Sequence, residues 1–187
     1  MLRNVIKEEN AIILDFLQHG HAFDSRPGHL KTPIAQAIGK KHFVLLELVP
    51  KKGVFLQPLD EVYIGEGKRD QIHHIYGKVA YDKLTETAKA EAAEVIKEMV
   101  KKDEKKFVDF FNKAGPISTR MHQIELIPGV GKKHMWDILE KRQEKEFDSF
   151  EDIKKRVKLM SDPEKAIVKR IISELKGEDR YKIFIER

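Results

Sequence analysis

The sequence predicts an α+β chain: a small N-terminal barrel or curled sheet of short strands, then a helical region, then a last short strand returning to the sheet. Three observations lead there. Residues 11–81 hold five short apolar or alternating runs separated by turn residues, with no apolar period of helical length. At Thr85 the period becomes helical and stays so to Gly177, and residues 181–185 alternate once more. A hydrophobic content of 41% supports a packed core, while 36% charged residues exceed the roughly 25% of ordinary globular chains. The absence of cysteine excludes disulfide scaffolds, thiolate zinc sites and cysteine nucleophiles. No apolar run approaches the ~18 residues that span a bilayer, and residues 1–9 lack an apolar signal core, so a cytoplasmic protein with no membrane partner is expected. A net charge of +5 favours an anionic partner.

Residues 11–17 form the first run. Residues 18–32 read as a loop, because Gly20, Ser25, Pro27 and Gly28 supply turn chemistry. Residues 33–38 and 42–49 flank Gly39-Lys40-Lys41, a hairpin spacing in which Gly39 is expected to take a positive φ. Residues 61–64 are the fourth run, and a turn over 65–70 leads to the fifth, 72–81. Strict alternation there places Ile75, Val79 and Tyr81 (with Gly77) on one face and His74, Tyr76, Lys78 and Ala80 on the other. Five such strands suit a small barrel of the oligonucleotide-binding (OB) kind.

Thr85 stands where an N-cap is needed, ahead of Ala88, Ala92, Val95, Ile96, Met99 and Val100 at helical spacing. A charged break over 101–106 precedes a stripe of Phe107, Phe110 and Phe111, read as core rather than as a base-stacking platform. Gly115-Pro116 is expected to stop that helix, with Gly115 as a left-handed cap. Ser118 or Thr119 is expected to cap a short helix bearing Met121, Ile124 and Ile127. Residues 132–142 form the next helix, with Met135, Ile138 and Leu139 on one side and Trp136 half-buried. Ser149 caps a further helix, and Ser161-Asp162-Pro163 opens the longest, with Ile167, Ile171 and Leu175 inward and Gly177 at its end. The chain thus divides into residues 1–84 (β-rich), 85–115 (connecting helices) and 116–187.

Between two expected helices lies Ile127-Pro128-Gly129-Val130-Gly131-Lys132-Lys133. Gly129 permits a turn closed to residues with a Cβ, and Pro128 fixes the approach to it. Gly131 keeps the surface bare, so that a phosphate oxygen can reach the backbone. The amides of Gly129, Val130, Gly131, Lys132 and Lys133 are expected to be unpaired donors at a helix start, whose dipole adds partial positive charge. Lys132, Lys133 and Arg120 would add mobile cations. Such a corner grips phosphates and ignores base identity. Residues 123–139 resemble the helix-hairpin-helix family, which implies capture of a nucleic-acid backbone without sequence specificity. The family's units usually pair about a pseudo-twofold axis. Residues 147–175 have the length and helix count of a second unit, but their turn, 158–162, has no glycine pair and carries an acid, so a structural role is expected there. Met135 departs from the small residue that the family usually has at that point. Nearly the whole chain, notably residues 33–39, 45–50 and 62–67, resembles an archaeal family of unknown function. That family is held to join an OB-like part to a helical part and to bind nucleic acid; it implies architecture and no catalytic residues.

His74, Tyr76 and Lys78, on one strand face, are a second candidate for contacting RNA or single-stranded DNA. No metal site is expected from the eight histidines, because His19-x-His21 and His73-His74 lack further ligands at metal spacing, and His73 and His74 would point to opposite faces. Asp148 falls near the distance at which glycosylases with this hairpin carry a catalytic aspartate, yet its surroundings do not match theirs. No phosphate loop or dinucleotide fingerprint occurs, so neither a cofactor nor catalysis is expected. The reading is therefore nucleic-acid binding without sequence specificity, RNA ahead of DNA. A protein-docking scaffold in an RNA- or DNA-processing complex is the alternative, and a repair glycosylase or nuclease comes last.

Overall fold

Every residue of β2 (Ile34–Gly39) and of β3 (Leu45–Pro50) is buried, which is why these segments read as apolar runs rather than as alternating ones. They form the centre of a curled antiparallel sheet in the computed structural model of the chain, which describes residues 8–185. With β1 (Asn10–Leu17), β4 (Glu61–Tyr63) and β5 (Ile72–Lys78), the strand order is β4-β1-β2-β3-β5. The edges β4 and β5 are not paired with each other, so the sheet is a half-barrel. Ala11, Ile13, Ala35, Ala37, Leu46, Leu48, Val62 and Ile72 form one buried apolar cluster on it.

The one polar side chain buried within β2, Gln36, is satisfied on both sides of its amide. Its Nε2 donates to Glu47 Oε1 at 3.3 Å and to Lys83 O at 3.2 Å, and its Oε1 accepts from Thr85 N at 2.9 Å. At the β2–β3 turn the positive φ falls on Phe43 (58°) and not on Gly39. Gly39 instead makes room for Glu8: a Cβ there would displace the buried Glu8 side chain, whose carboxylate accepts from Lys41 N at 2.9 Å and His42 N at 2.7 Å.

The fifth strand departs from simple alternation. Its ladder pairs Pro50 with Ile72, Val49 with His74, Leu48 with Ile75, Glu47 with Gly77 and Leu46 with Lys78, leaving His73 and Tyr76 as bulge residues. Ile72, Ile75 and Lys78 therefore oppose Pro50, Leu48 and Leu46, which share one face of β3, and His73-His74 and Tyr76-Gly77 turn the other way. The expected grouping of Lys78 with His74 and Tyr76 is thus corrected. So is the separation of the two histidines, whose Nδ1 atoms lie 2.7 Å apart. Residues 181–185 form no strand; Lys182 and Ile185 instead line a hollow beside Phe43, Leu45 and Val79. A doubly bulged edge and a three-residue edge offer no regular ladder for a further strand.

Helices follow in the order α1 (Glu86–Lys102), α2 (Glu104–Lys113), α3 (Lys132–Glu144), α4 (Phe150–Arg156) and α5 (Pro163–Lys176). None is long and apolar enough to cross a membrane. The described residues up to Val95 and from Leu175 onward form one compact unit, and Ile96–Glu174 forms the other. Thr85 caps α1 as expected, its Oγ1 accepting from Ala88 N at 3.0 Å. Ser149 Oγ and Asp162 Oδ1 do the same for α4 and α5, and Gly177, with φ +76°, follows α5.

In the helical unit Phe107 and Phe111 are buried, as core residues should be, beside Met135, Ile138, Phe150, Ile153, Ile167 and Ile171. Arginines close two helix ends. Arg142 Nη1 donates to the carbonyls of Phe111 (3.0 Å) and Ala114 (2.8 Å) at the end of α2. Arg156 Nη2 donates to those of Lys141 and Lys145 at the end of α3. The end of α2 accordingly needs no left-handed residue. Its C-cap is Ala114 at φ −54°, and Gly115 does not take the positive φ expected of it.

Candidate nucleic-acid interface

The segment before the glycine corner is shorter than a helix. Residues expected to form one build a small hairpin, β6 (Pro116–Ser118) with β7 (Met121–His122), and then a single 3-10 turn, Gln123–Leu126. The cap is His122, not Ser118 or Thr119. Its Nδ1 accepts from Ile124 N at 3.2 Å, and Glu125 Oε2 accepts from His122 N at 2.8 Å, a reciprocal pair of the capping-box type. Burial, and then the charge of Arg142, lower the His122 pKa and favour the neutral ring that this acceptor role requires.

From this turn the chain enters the corner with both shoulders anchored. Ile127 (1% exposed) and Val130 (9%) are buried, and Val130 N donates to Ile127 O at 3.0 Å across the exposed tip, Pro128-Gly129. The carbonyl of Leu126, just before it, is held at 3.1 Å by Nη1 of the buried Arg170. Gly129 has φ +84°, so a side chain there would be strained. Gly131 differs. Its φ of −96° and ψ of −175° suit any residue, and an added Cβ would meet nothing nearer than His134 Nδ1 at 3.9 Å.

Gly131 is also the N-cap of α3 and has no side chain with which to cap it. Its own N–H donates to His134 Nδ1 at 3.2 Å. Of the five amides expected to be free, Val130 and Gly131 therefore have internal acceptors, and Gly129, Lys132 and Lys133 have none among the described residues. The corner is uncovered, and Gly129, Gly131, Lys132 and Lys133 are all exposed.

The cations are not equivalent. The Lys132 ammonium is fixed, donating to Arg120 O at 2.6 Å and pairing with Glu125 at 2.9 Å, so it is not the mobile charge expected. The hydrogen bond from Lys132 Nζ to Glu125 Oε2, at 3.1 Å, is the main reason the Glu125 pKa is lowered. Lys133 and Arg120 are exposed, and their side chains form no ion pair among the described residues.

The loop before α5 repeats the pattern. Val157 and Met160 are buried shoulders, and Met160 N donates to Val157 O at 3.0 Å around the exposed Lys158-Leu159. One residue more, and Asp162 in place of a glycine cap, close its helix start with a carboxylate. Sequence spacing missed Trp136: it was expected to be half-buried but is 65% exposed on α3. In the sheet unit, His74 and Tyr76 share one hollow, while Lys78 lines another with Ile75. Asp148 is paired with Lys145 at 2.6 Å on the surface. Among the described residues no group of three or more His, Asp or Glu could hold a metal ion.

Comparison with known proteins places these features in context. Residues 7–186 match the model of a family described as "Protein of unknown function (DUF655)". The uncharacterized protein MJ0038 of Methanocaldococcus jannaschii is 41% identical over 181 residues, covering 96% of this chain and 80% of that protein. The crystal structure of Af1531 from Archaeoglobus fulgidus is similar with a TM-score of 0.87 and 49% identity, covering 96% of this chain and all of that one.

Proposed function

The chain belongs to the DUF655 family, and we propose, from the geometry of its glycine corner, that it binds the sugar–phosphate backbone of nucleic acid, without reading sequence, at Gly129, Gly131, Lys132 and Lys133. The observation that carries the reading is Gly131. Folding demands a glycine at Gly129 through its positive φ, but at Gly131 neither the backbone angles nor the surroundings do. A serine or aspartate would cap α3 better, as Ser149 and Asp162 cap α4 and α5. A bare residue there keeps the Lys132 and Lys133 amides open to an oxyanion at the positive end of a thirteen-residue helix. Lys133 and Arg120 supply the charge, and Lys132 holds the strand before the corner in place.

The two buried-shoulder turns, 127–130 and 157–160, support a tandem of helix-hairpin-helix type, the first helix being reduced to a 3-10 turn. In this tandem only the first turn contacts nucleic acid, because Asp162 occupies the second helix start. Single-stranded RNA is the preferred ligand in this reading. The test is the salt dependence of binding. The slope of log K against log salt should be of order −0.7 to −0.9 per phosphate contact, with about two to four contacts. A salt-insensitive complex refutes the electrostatic reading. A protein-docking role predicts partners that stay bound after nuclease digestion.

A further inference from the structure

Away from the corner, the loop joining β1 to β2 and the outward side of β5 enclose a hollow of about 570 Å³, within the usual range of ligand sites. Its floor is apolar and buried, formed by Ile34 and Val49. Aromatic rings line its sides. His21 and Phe23 stack with centroids 4.7 Å apart and planes inclined by 11°, and His74 and Tyr76 contribute from β5. Phe23 is 85% exposed and Tyr76 67%. Large exposed rings gathered at one hollow are the informative departure from ordinary burial.

The arrangement is braced. His21 Nε2 lies 2.9 Å from the carboxylate of the buried Glu47, which also accepts from Gln36, so the ring that backs Phe23 has a fixed orientation. Tyr76 is a bulge residue, and bulges re-aim side chains. Arg26 is clamped through Nε and Nη2 to Asp24 at 3.0 and 2.7 Å, leaving Nη1 without a partner among the described residues. That clamp holds the Asp24 carboxyl at about 2, so the pair is ionised at any neutral pH.

We propose that this hollow takes an unpaired nucleobase of a single-stranded nucleic acid, stacked on Phe23 and Tyr76, with Arg26 beside the adjoining phosphate. A base is a flat ring with a polar edge, and the hollow offers flat apolar faces rimmed by polar groups. A duplex cannot use it, because its bases are stacked on one another. The site is independent of the glycine corner, which needs only phosphates.

The test compares the full chain with its Phe23→Ala/Tyr76→Ala variant for an end-labelled single strand of about twelve nucleotides and a duplex of equal length, by fluorescence anisotropy. Both side chains are exposed, and an unchanged thermal midpoint checks the fold. Single-strand affinity should fall about five- to hundred-fold while duplex affinity stays the same, and Tyr76→Phe should retain wild-type affinity. Unchanged single-strand affinity in the double variant, or an equal loss for the duplex, overturns the proposal. So does failure of the wild type to bind the single strand. Uridine monophosphate bound as tightly as the strand assigns the hollow to a free nucleotide and overturns it too. Lys132→Ala/Lys133→Ala should weaken both nucleic acids alike, so failure of the corner reads separately from failure of the hollow.

Discussion

Replacing Gly131 with aspartate should make the protein more stable and a poorer binder at once. The backbone angles at this N-cap already suit a capping residue, and the nearest atom to a new Cβ is 3.9 Å away, so the side chain enters without strain. Its carboxylate would accept from the Lys133 or His134 amide. Aspartate over glycine at an N-cap is favourable by a few tenths of a kcal/mol, and a negative charge on the first turn adds about 0.3–1 kcal/mol. A gain of about 0.5–1 kcal/mol raises the midpoint of a chain of this size by roughly 1–4 °C. The same carboxylate occupies the donors that a phosphate would use. Losing one hydrogen bond to a charged group costs about 1.5–3 kcal/mol, which is roughly ten- to hundred-fold in affinity, before any repulsion. Differential scanning calorimetry and anisotropy titrations on the same preparation measure both. A raised midpoint with unchanged affinity refutes the corner as the point of contact.

The two lysines should separate in the same titration. Lys133→Ala weakens binding with little change in stability, whereas Lys132→Ala also loosens the segment before the corner, because its ammonium ties Arg120 O to Glu125; equal effects of the two on stability count against this division. Gly39→Ala should cost about 2–4 kcal/mol in chemical denaturation, since the Cβ displaces the Glu8 carboxylate from two amides; a loss under 1 kcal/mol refutes the close-approach account. His122 is held neutral by burial, so its folded pKa lies below the unfolded one. The sign follows: its contribution is complete above the ordinary histidine value of about 6.5 and is lost as pH falls below that through the lowered folded pKa. His122→Asn, which can still cap, should flatten the stability profile between about pH 7 and 5, and an unaltered slope contradicts it.

Local signals were legible. The caps at Thr85 and Ser149, the helix start at Ser161-Asp162-Pro163, the stop at Gly177 and the first four runs of the sheet each depend on a few adjacent residues and hold in the structure. What failed depends on distant partners. Gly115 looked like a helix stop, but Arg142, from a later helix, satisfies those carbonyls. The turn at Gly39 looked like a demand for positive φ, whereas the constraint comes from Glu8, more than thirty residues away. The capping pair His122 and Glu125 lacks the serine or threonine that marks such boxes, so the helix start was placed too early. The glycine corner is contiguous and was visible as a motif. The hollow at Phe23 and Tyr76 was not, because residues 18–32 show only turn chemistry until the fold brings them beside β5.

The two bulges of β5 have a bearing on how this strand can vary. Each adds one residue against β3, and together they restore the phase, so Ile72 and Lys78 meet partners on the same side of the sheet although the span between them is irregular. The strand in effect counts in threes, one residue inward and two outward. Loss of one extra residue would leave every other residue opposite the same β3 partner and on the same face, removing only one outward side chain and the local kink. Within this edge the outward pairs 73–74 and 76–77 can therefore change length independently, while Ile72, Ile75 and Lys78 stay opposite Pro50, Leu48 and Leu46.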